Sequence, residues 1–133
     1  MSVTYAIEAK LAAGEFVDVL ERSGLAARRP VGEPERIAKM LAHANLIVTA
    51  RDGARLIGVA RSLSDFAFCC YLSDLAVDRD YQRRGIGREL IARTRAAAGP
   101  GSMVLLSAPE AMTYYSHIGM PKADNAFIFQ RQH

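Results

Sequence analysis

At 133 residues the chain is sized for one domain, 1–133, large enough to bury a real core. Half its residues are hydrophobic, yet no apolar run is long enough to cross a membrane and no basic-plus-apolar leader stands at the start. The formal net charge of +3 is mild and is accounted for locally by the arginines near Gly85, so composition calls for neither a nucleic-acid nor a membrane partner.

The predicted elements alternate between strand and helix. Val3 to Glu8 alternates polar and apolar as a first strand. Residues 12–22 carry Phe16, Val17 and Leu20 at helical spacing and close on Gly24. Pro30 to Pro34 reads as a loop, and Glu35 to Ala44 as a second helix with Ile37, Met40 and Leu41 inward. Leu46 to Ala50 and Leu56 to Leu63 form a hairpin in which Asp52-Gly53 supplies the turn. Ser64-Asp65 leads into a long strand, Phe68 to Val77. A helix from Ile86 to Ala98 stops at Gly99-Pro100-Gly101. A strand from Met103 to Leu106, a helix from Pro109 to Ile118 and a last strand from Phe127 to Phe129 complete the order. Cys69 and Cys70 are neighbours in a strand, so their side chains point to opposite faces and do not pair with each other. Nor do they have the spacing of a metal site, and none is expected; the reading is a reduced, cytoplasmic protein.

The segment Val77-Asp78-Arg79-Asp80-Tyr81-Gln82-Arg83-Arg84-Gly85-Ile86-Gly87-Arg88 carries most of the chemistry. It joins the end of a strand to the start of a helix whose Ile86, Leu90 and Ile91 share an apolar face. A helix N-terminus leaves backbone N–H groups unpaired and carries a partial positive charge. Gly85 and Gly87 remove side chains that would keep a phosphate from those donors, and Arg83, Arg84 and Arg88 add full charges. The pattern suits a pyrophosphate. It is not a Walker loop, because Arg88-Glu89 stands where Lys-Ser/Thr is required. It is not a Rossmann fingerprint either, since Leu90 replaces the third glycine.

Gln82-Arg83-Arg84-Gly85-Ile86-Gly87, after a strand ending Leu75-Ala76-Val77, resembles the Gln/Arg-x-x-Gly-x-Gly/Ala acyl-coenzyme A loop of the GNAT superfamily of N-acetyltransferases. The element order matches that family too. The resemblance covers nearly the whole chain, with its specific motifs between Leu72 and Met120. It implies an α/β (α+β) fold: a mixed, mostly antiparallel central sheet flanked by helices, with the parallel strands ending at Val77 and Leu106 splayed apart. It implies acetyl-CoA as co-substrate, its pantetheine arm entering the splay and pairing with the main chain of Leu75, Ala76 and Val77. Gln82, Arg83, Arg84, Gly85, Ile86, Gly87 and Arg88 would hold the pyrophosphate. A homodimer is compatible with the resemblance.

A second constellation runs from Ser107 to Met120. Ser107 and Glu110 have capping-box spacing, Pro109 suits a first helical turn, and Gly119 can close the helix. Ala111, Tyr115 and Gly119 match the family's Ala-x-x-x-Tyr-x-x-x-Gly-Phe, with Met120 in place of Phe. The resemblance sets Ser107 and Ala111 beside the cofactor and makes Tyr115 the acid that protonates the departing thiolate. A phenol with a pKa of about 10 keeps its proton at neutral pH. Against this stand a merely packed Tyr115, or a cleft-facing Tyr114. An asparagine common in the family early in this helix is missing, with Pro109 near its place.

The base is harder to read. An ammonium has no lone pair, so the acceptor amine must lose a proton before it attacks. Asp74, just before Leu75-Ala76-Val77, is the first candidate as base or ammonium binder, against a salt-bridged strand residue. Glu33 and Glu35 are alternatives. His117 has a suitable intrinsic pKa but faces away from Tyr115, His43 is a helix-end residue, and His133 is terminal. Arg28 and Arg29 read either as binders of an acidic acceptor or as solvated loop cations. The expected function is direct acetyl transfer from acetyl-CoA to a primary amine of a small molecule or protein. Its rivals are a non-catalytic acyl-CoA sensor, a basic nucleic-acid-binding helix, and a ping-pong route through Cys69 or Cys70.

Overall fold

The structure, a computed structural model, describes residues 2–132. Among them, five strands form one sheet in the order β1-β2-β3-β4-β5. Strands β1 (Val3–Ile7), β2 (Leu46–Asp52), β3 (Arg55–Ser64) and β4 (Cys69–Val77) pair antiparallel in succession. Strand β5 (Ser102–Val104) lies parallel to β4. Helices α1 (Ala13–Ser23) and α2 (Pro34–His43) cover one face, where Phe16, Leu20 and Ile37 pack on Ile47, Val59 and Ala76. Helix α3 (Ile86–Ala98) covers the other, with Leu90 and Ile91 against Val48, Ile57 and Leu72. The expected mixed, mostly antiparallel sheet flanked by helices is the one observed.

The local sequence explains most element ends. In α1 the residues Phe16, Val19 and Leu20 form the buried stripe, and Gly24, at φ 89°, ends the helix with its N–H on the Glu21 carbonyl. In α3 the buried positions Ile86, Leu90, Ile91, Thr94 and Ala98 repeat at helical spacing. Burying each large aliphatic side chain there contributes about 1.5–3 kcal/mol. Thr94 is accommodated because its hydroxyl donates to the Leu90 carbonyl at 2.7 Å. Helix α4 (Met112–His117) ends as predicted at Gly119, φ 82°. Gly119 N–H meets the Ser116 carbonyl and Met120 N–H the Tyr115 carbonyl, the pair of bonds that closes a helix through a left-handed residue.

Two features of β4 position the site. Its pairing with β5 spans only Cys69↔Ser102, Cys70↔Met103 and Tyr71↔Val104. Beyond Tyr71 the parallel strands part, as the family resemblance implies. Against β3 the register jumps from Ser62↔Leu72 to Arg61↔Asp74, which leaves Ser73 as an extra residue, a β-bulge. The bulge turns the strand over. Cys70 and Leu72 therefore face the α3 side, whereas Ala76 faces α1 and α2.

Two expectations fail, and one short element is additional to those expected. A short 3₁₀ turn, Leu25–Arg28, follows α1. The helix expected from Pro109 begins as another 3₁₀ turn, Pro109–Ala111, capped by Ala108; Ser107 makes no capping-box bond and instead donates its hydroxyl to the Ala108 carbonyl at 2.8 Å. Pro109 fixes the helix entry one residue too late for Ser107 to reach it. The strand expected at Phe127 to Phe129 does not form: Phe127 and Phe129 are fully exposed, and β5 stops before Leu105. A β-prone run becomes a strand only where an edge is offered, and β5 presents three residues.

Candidate active site

The turn from β4 to α3 is built around two left-handed residues. Arg83 has φ 64° and Gly85 φ 80°. For a non-glycine residue that conformation costs roughly 1–2 kcal/mol, a strain of the kind held at ligand-binding turns. The first amide to return to the helix ladder is Glu89 N–H, which meets the Gly85 carbonyl at 3.0 Å. The amides of Ile86, Gly87 and Arg88 thus precede any intrahelical acceptor and converge at the positive end of α3. Left-handed residues beside right-handed ones turn successive N–H groups to one side, an anion-binding concavity. Gln82 secures the turn, donating from Nε2 to the Val77 carbonyl at 3.0 Å. The Arg84 guanidinium lies 5.5 Å from the Tyr81 ring centre, and the Tyr81 hydroxyl donates to Asp52 at 2.6 Å. Gly87 has no room to spare: a Cβ there would lie 2.6 Å from the Tyr114 hydroxyl.

Where β4 and β5 part, a cleft of about 690 Å³ opens between the strands, α4 and the segment after α1. Leu75, Ser107, Ala111 and Tyr115 line it, and so do Arg28, Arg29 and Arg61. Tyr114 is not among the lining residues; its hydroxyl is turned to the α3 N-terminus. The two rings meet edge to face with centres 5.3 Å apart. Burial, chiefly, pushes the Tyr115 phenol above its usual pKa; Tyr114 adds to this and the Arg29 charge opposes it. Tyr115 thus stays protonated through neutral pH. The remaining sequence candidates lie around these parts. The Ala76 side chain enters the core under α1, and Val77 packs on the α3 side. Arg83 and Arg84 lie in the turn beyond the cleft, whereas Ile86 and Arg88 are in the first turn of α3, Ile86 buried in the core.

Asp74 is fully buried, and both carboxylate oxygens are engaged: Arg29 Nε donates to Oδ1 and Arg61 Nε to Oδ2. Two guanidiniums thus engage both oxygens of a carboxylate that is shut off from the surface. The same arginines stabilise the bulge. Arg29 Nη2 donates to the Ser73 carbonyl at 2.8 Å, and Arg61 Nη2 to the Ser73 hydroxyl at 3.0 Å. Asp74 does not line the cleft. Arg61 escaped the sequence reading, although its place opposite an acid in the hairpin register could have signalled it. Glu33 is bridged to Arg36 at 3.5 Å, and His117 is exposed. His133 lies outside the described residues. Cys69 and Cys70 are free, one exposed and one buried, at the paired end of β4 away from the cleft lining.

The acetyltransferase (GNAT) domain family matches residues 17–130. A histone acetyltransferase of Glycine max is 37% identical over 68 residues, covering 49% of this chain and 29% of that protein. A chloroplastic GCN5-related N-acetyltransferase of Arabidopsis thaliana is 32% identical over a stretch of equal length, covering 49% and 26%. The match thus spans under a third of the length of these curated relatives. Among solved structures, a GNAT family acetyltransferase from Streptococcus pneumoniae superposes with a TM-score of 0.78 at 19% identity, over 99% of this chain and 100% of that one. An aminoglycoside N-acetyltransferase solved with CoA gives 0.73 at 15% identity, over 99% and 96%. At such identities the likeness is one of fold. With a family match over most of its length, and a fold built on splayed parallel strands beside a glycine-rich helix start, the chain belongs to the GNAT acetyltransferase family.

Proposed function

We propose that this protein is an N-acetyltransferase that moves the acetyl group of acetyl-CoA directly to a primary amine. The observation that carries the reading is the continuity of the site. The strained turn at Arg83–Gly85 leads into Gly87, which lies close to Val77 at the end of β4 and to the Tyr114 hydroxyl, and the neighbouring Tyr115 lines the cleft together with Leu75. The turn, with Gln82, Arg83, Arg84 and Arg88 around the amides of Ile86 and Gly87, takes the pyrophosphate. Main-chain groups of Leu75, Ala76 and Val77 take the pantetheine arm, between β4 and the wall of Ser107 and Ala111. A solved relative of the same fold was crystallised with CoA, which supports the choice of co-substrate. The two unpaired cysteines fit a cytoplasmic setting.

The transfer balances with few groups. The neutral amine forms the C–N bond at the acetyl carbonyl, and a main-chain N–H of the freed strand edge stabilises the negative charge that develops on oxygen. The C–S bond breaks, Tyr115 gives its proton to the sulfur, and the former amine loses its surplus proton to water. Asp74 acts through its arginines and is not the base. Gly87→Glu tests the reading. An acidic residue in the first turn of a helix is favourable for stability, and the Cβ displaces only the tip of the half-exposed Tyr114. Calorimetric titration should show acetyl-CoA affinity falling at least a hundredfold while the melting temperature barely changes. Unchanged affinity in the folded variant would refute the loop assignment.

A further inference from the structure

The end of the cleft nearest the segment after α1 has an unusual charge. Among the described residues that line the cleft are Arg28, Arg29, Arg36, Arg61, Lys122 and Arg131, and no Asp or Glu. Among the described residues, Glu33 is bridged to Arg36, and Asp74 lies behind the wall between Arg29 and Arg61. Two guanidiniums around one carboxylate leave a net charge of one, held where Arg61 and Arg29 are only 7% and 17% exposed. Arg28 adds a second, since its side chain makes no hydrogen bond or ion pair among the described residues.

The donor count agrees. A guanidinium has five N–H groups. Arg29 directs three at Asp74, the Arg28 carbonyl and the Ser73 carbonyl, which leaves two. Arg61 directs three at Asp74, the Met40 carbonyl and the Ser73 hydroxyl, which also leaves two. Positive charge in a part-buried place, with unspent donors in planar forks, is matched by an oxyanion and opposed by a second cation. The cluster is also within electrostatic reach of the acid, because the Arg29 charge acts on the Tyr115 phenol.

We propose that the acceptor is a primary amine that also carries an oxyanion, a carboxylate or a phosphate, received by Arg28 and by the spare donors of Arg29 and Arg61. This rests on the acetyltransferase reading and narrows its substrate class. The site discriminates against polycationic amines, aminoglycosides included. It also eases the proton problem. Cations beside an acceptor ammonium favour its neutral form, so a cleft without a carboxylate base still presents a nucleophile.

The test uses matched amines: amino acids against their C-terminal amides, and phosphoethanolamine against ethanolamine, with spermidine as polycation. In one arm, calorimetric titration of the protein alone measures binding of each. In the second, thiol release under saturating acetyl-CoA measures turnover. A third titrates acetyl-CoA itself. The oxyanion members of at least one pair should bind and turn over at least tenfold better than their neutral partners, and the pair that responds tells carboxylate from phosphate. Arg28→Gln, at an exposed side chain that no fold contact needs, should raise KM for the oxyanion amine about tenfold. It should leave KM for the neutral partner and the affinity for acetyl-CoA unchanged. Equal or better binding of the neutral or polycationic amines overturns the inference and leaves the acetyltransferase reading standing if acetyl-CoA binds. Failure of acetyl-CoA to bind refutes that reading, and the binding arm still decides whether the oxyanion site exists.

Discussion

At the scale of single residues, the two adjacent tyrosines divide between the two ends of the site. Tyr115 lines the cleft and packs on the α3-side core, so Tyr115→Phe keeps the ring and removes only the proton donor. General-acid assistance contributes about a hundredfold to ten-thousandfold, and kcat should fall within that range while acetyl-CoA affinity holds. Because burial raises the Tyr115 pKa above 10, its ionisation leaves kcat flat through neutral pH; any alkaline fall it causes lies above pH 10 and disappears in the variant. Tyr114→Phe should spare kcat and weaken acetyl-CoA binding, since that hydroxyl sits over Gly87. Steady-state kinetics across pH, with titration of the co-substrate, separates the two. An intact kcat in Tyr115→Phe would mean that water protonates the thiolate. The register of this pair was legible from Ala111-x-x-x-Tyr115-x-x-x-Gly119. The true surroundings of Asp74 were not, because an acid before a strand end looks alike whether it meets solvent, a substrate or two arginines from 45 and 13 residues away.

At the scale of elements, the bulge in β4 is what the sequence concealed. Cys70, Leu72, Asp74 and Ala76 are all buried at a spacing of two, which reads as one face of one regular strand. The sheet is covered on both sides, so an inserted residue moves half of them to the opposite core without disturbing the buried-exposed alternation. Helix α3 was legible to the residue because its limits are set locally, by Gly85 and by Gly99-Pro100. The approach of β5 to β4 depends on a glycine of another kind. A Cβ on Gly101 would overlap the Phe68 carbonyl and lie 2.6 Å from Cys69 N, all of it backbone. The Ser102 N–H bond to the Phe68 carbonyl, 2.9 Å long, starts the parallel pairing from the same place. Gly101→Ala should therefore lower the unfolding free energy by about 2–3 kcal/mol in urea titrations, in the range of a severe overpacking. Gly14→Ala, in α1 with nothing within 4 Å, should raise it by roughly 0.5–1 kcal/mol. If Gly101→Ala proved as harmless as Gly14→Ala, the close crossing of these two segments would be wrong.

Across the whole molecule, the carboxylates that tie distant segments together set the response to acid. Arg51 in β2 draws Glu8 after β1 and Glu15 in α1 to itself, and its hydrogen bonds hold both acids below their usual pKa. Asp52 is held down by the Tyr81 hydroxyl. For Asp78 burial acts upward, but the Asp80 N–H and the Arg22 guanidinium outweigh it. Asp65 accepts from the amides of Phe68, Cys69 and Ala67 in the turn before β4, and its pKa falls to about 2. Each group is more acidic folded than unfolded, where a carboxyl titrates near about 4. The unfolded chain thus takes up these protons first as pH drops. The stabilisation is fully present above the unfolded pKa and is lost as pH falls through the folded values. Urea midpoints should stay level from pH 7 to about 5 and then decline steeply between about 4 and 2. Asp65→Asn should flatten the lower part of that decline, because an amide has no proton to take up, while the part set by Glu8, Glu15 and Arg51 remains. Those ion pairs are partly exposed, so added salt should weaken their share and leave that of the turn amides. A midpoint that is already falling between pH 7 and 6 would point to a different group, since none of these carboxylates titrates there. One that is constant down to pH 2 would mean that the links from β1 to α1 and from β3 to β4 contribute nothing to folding.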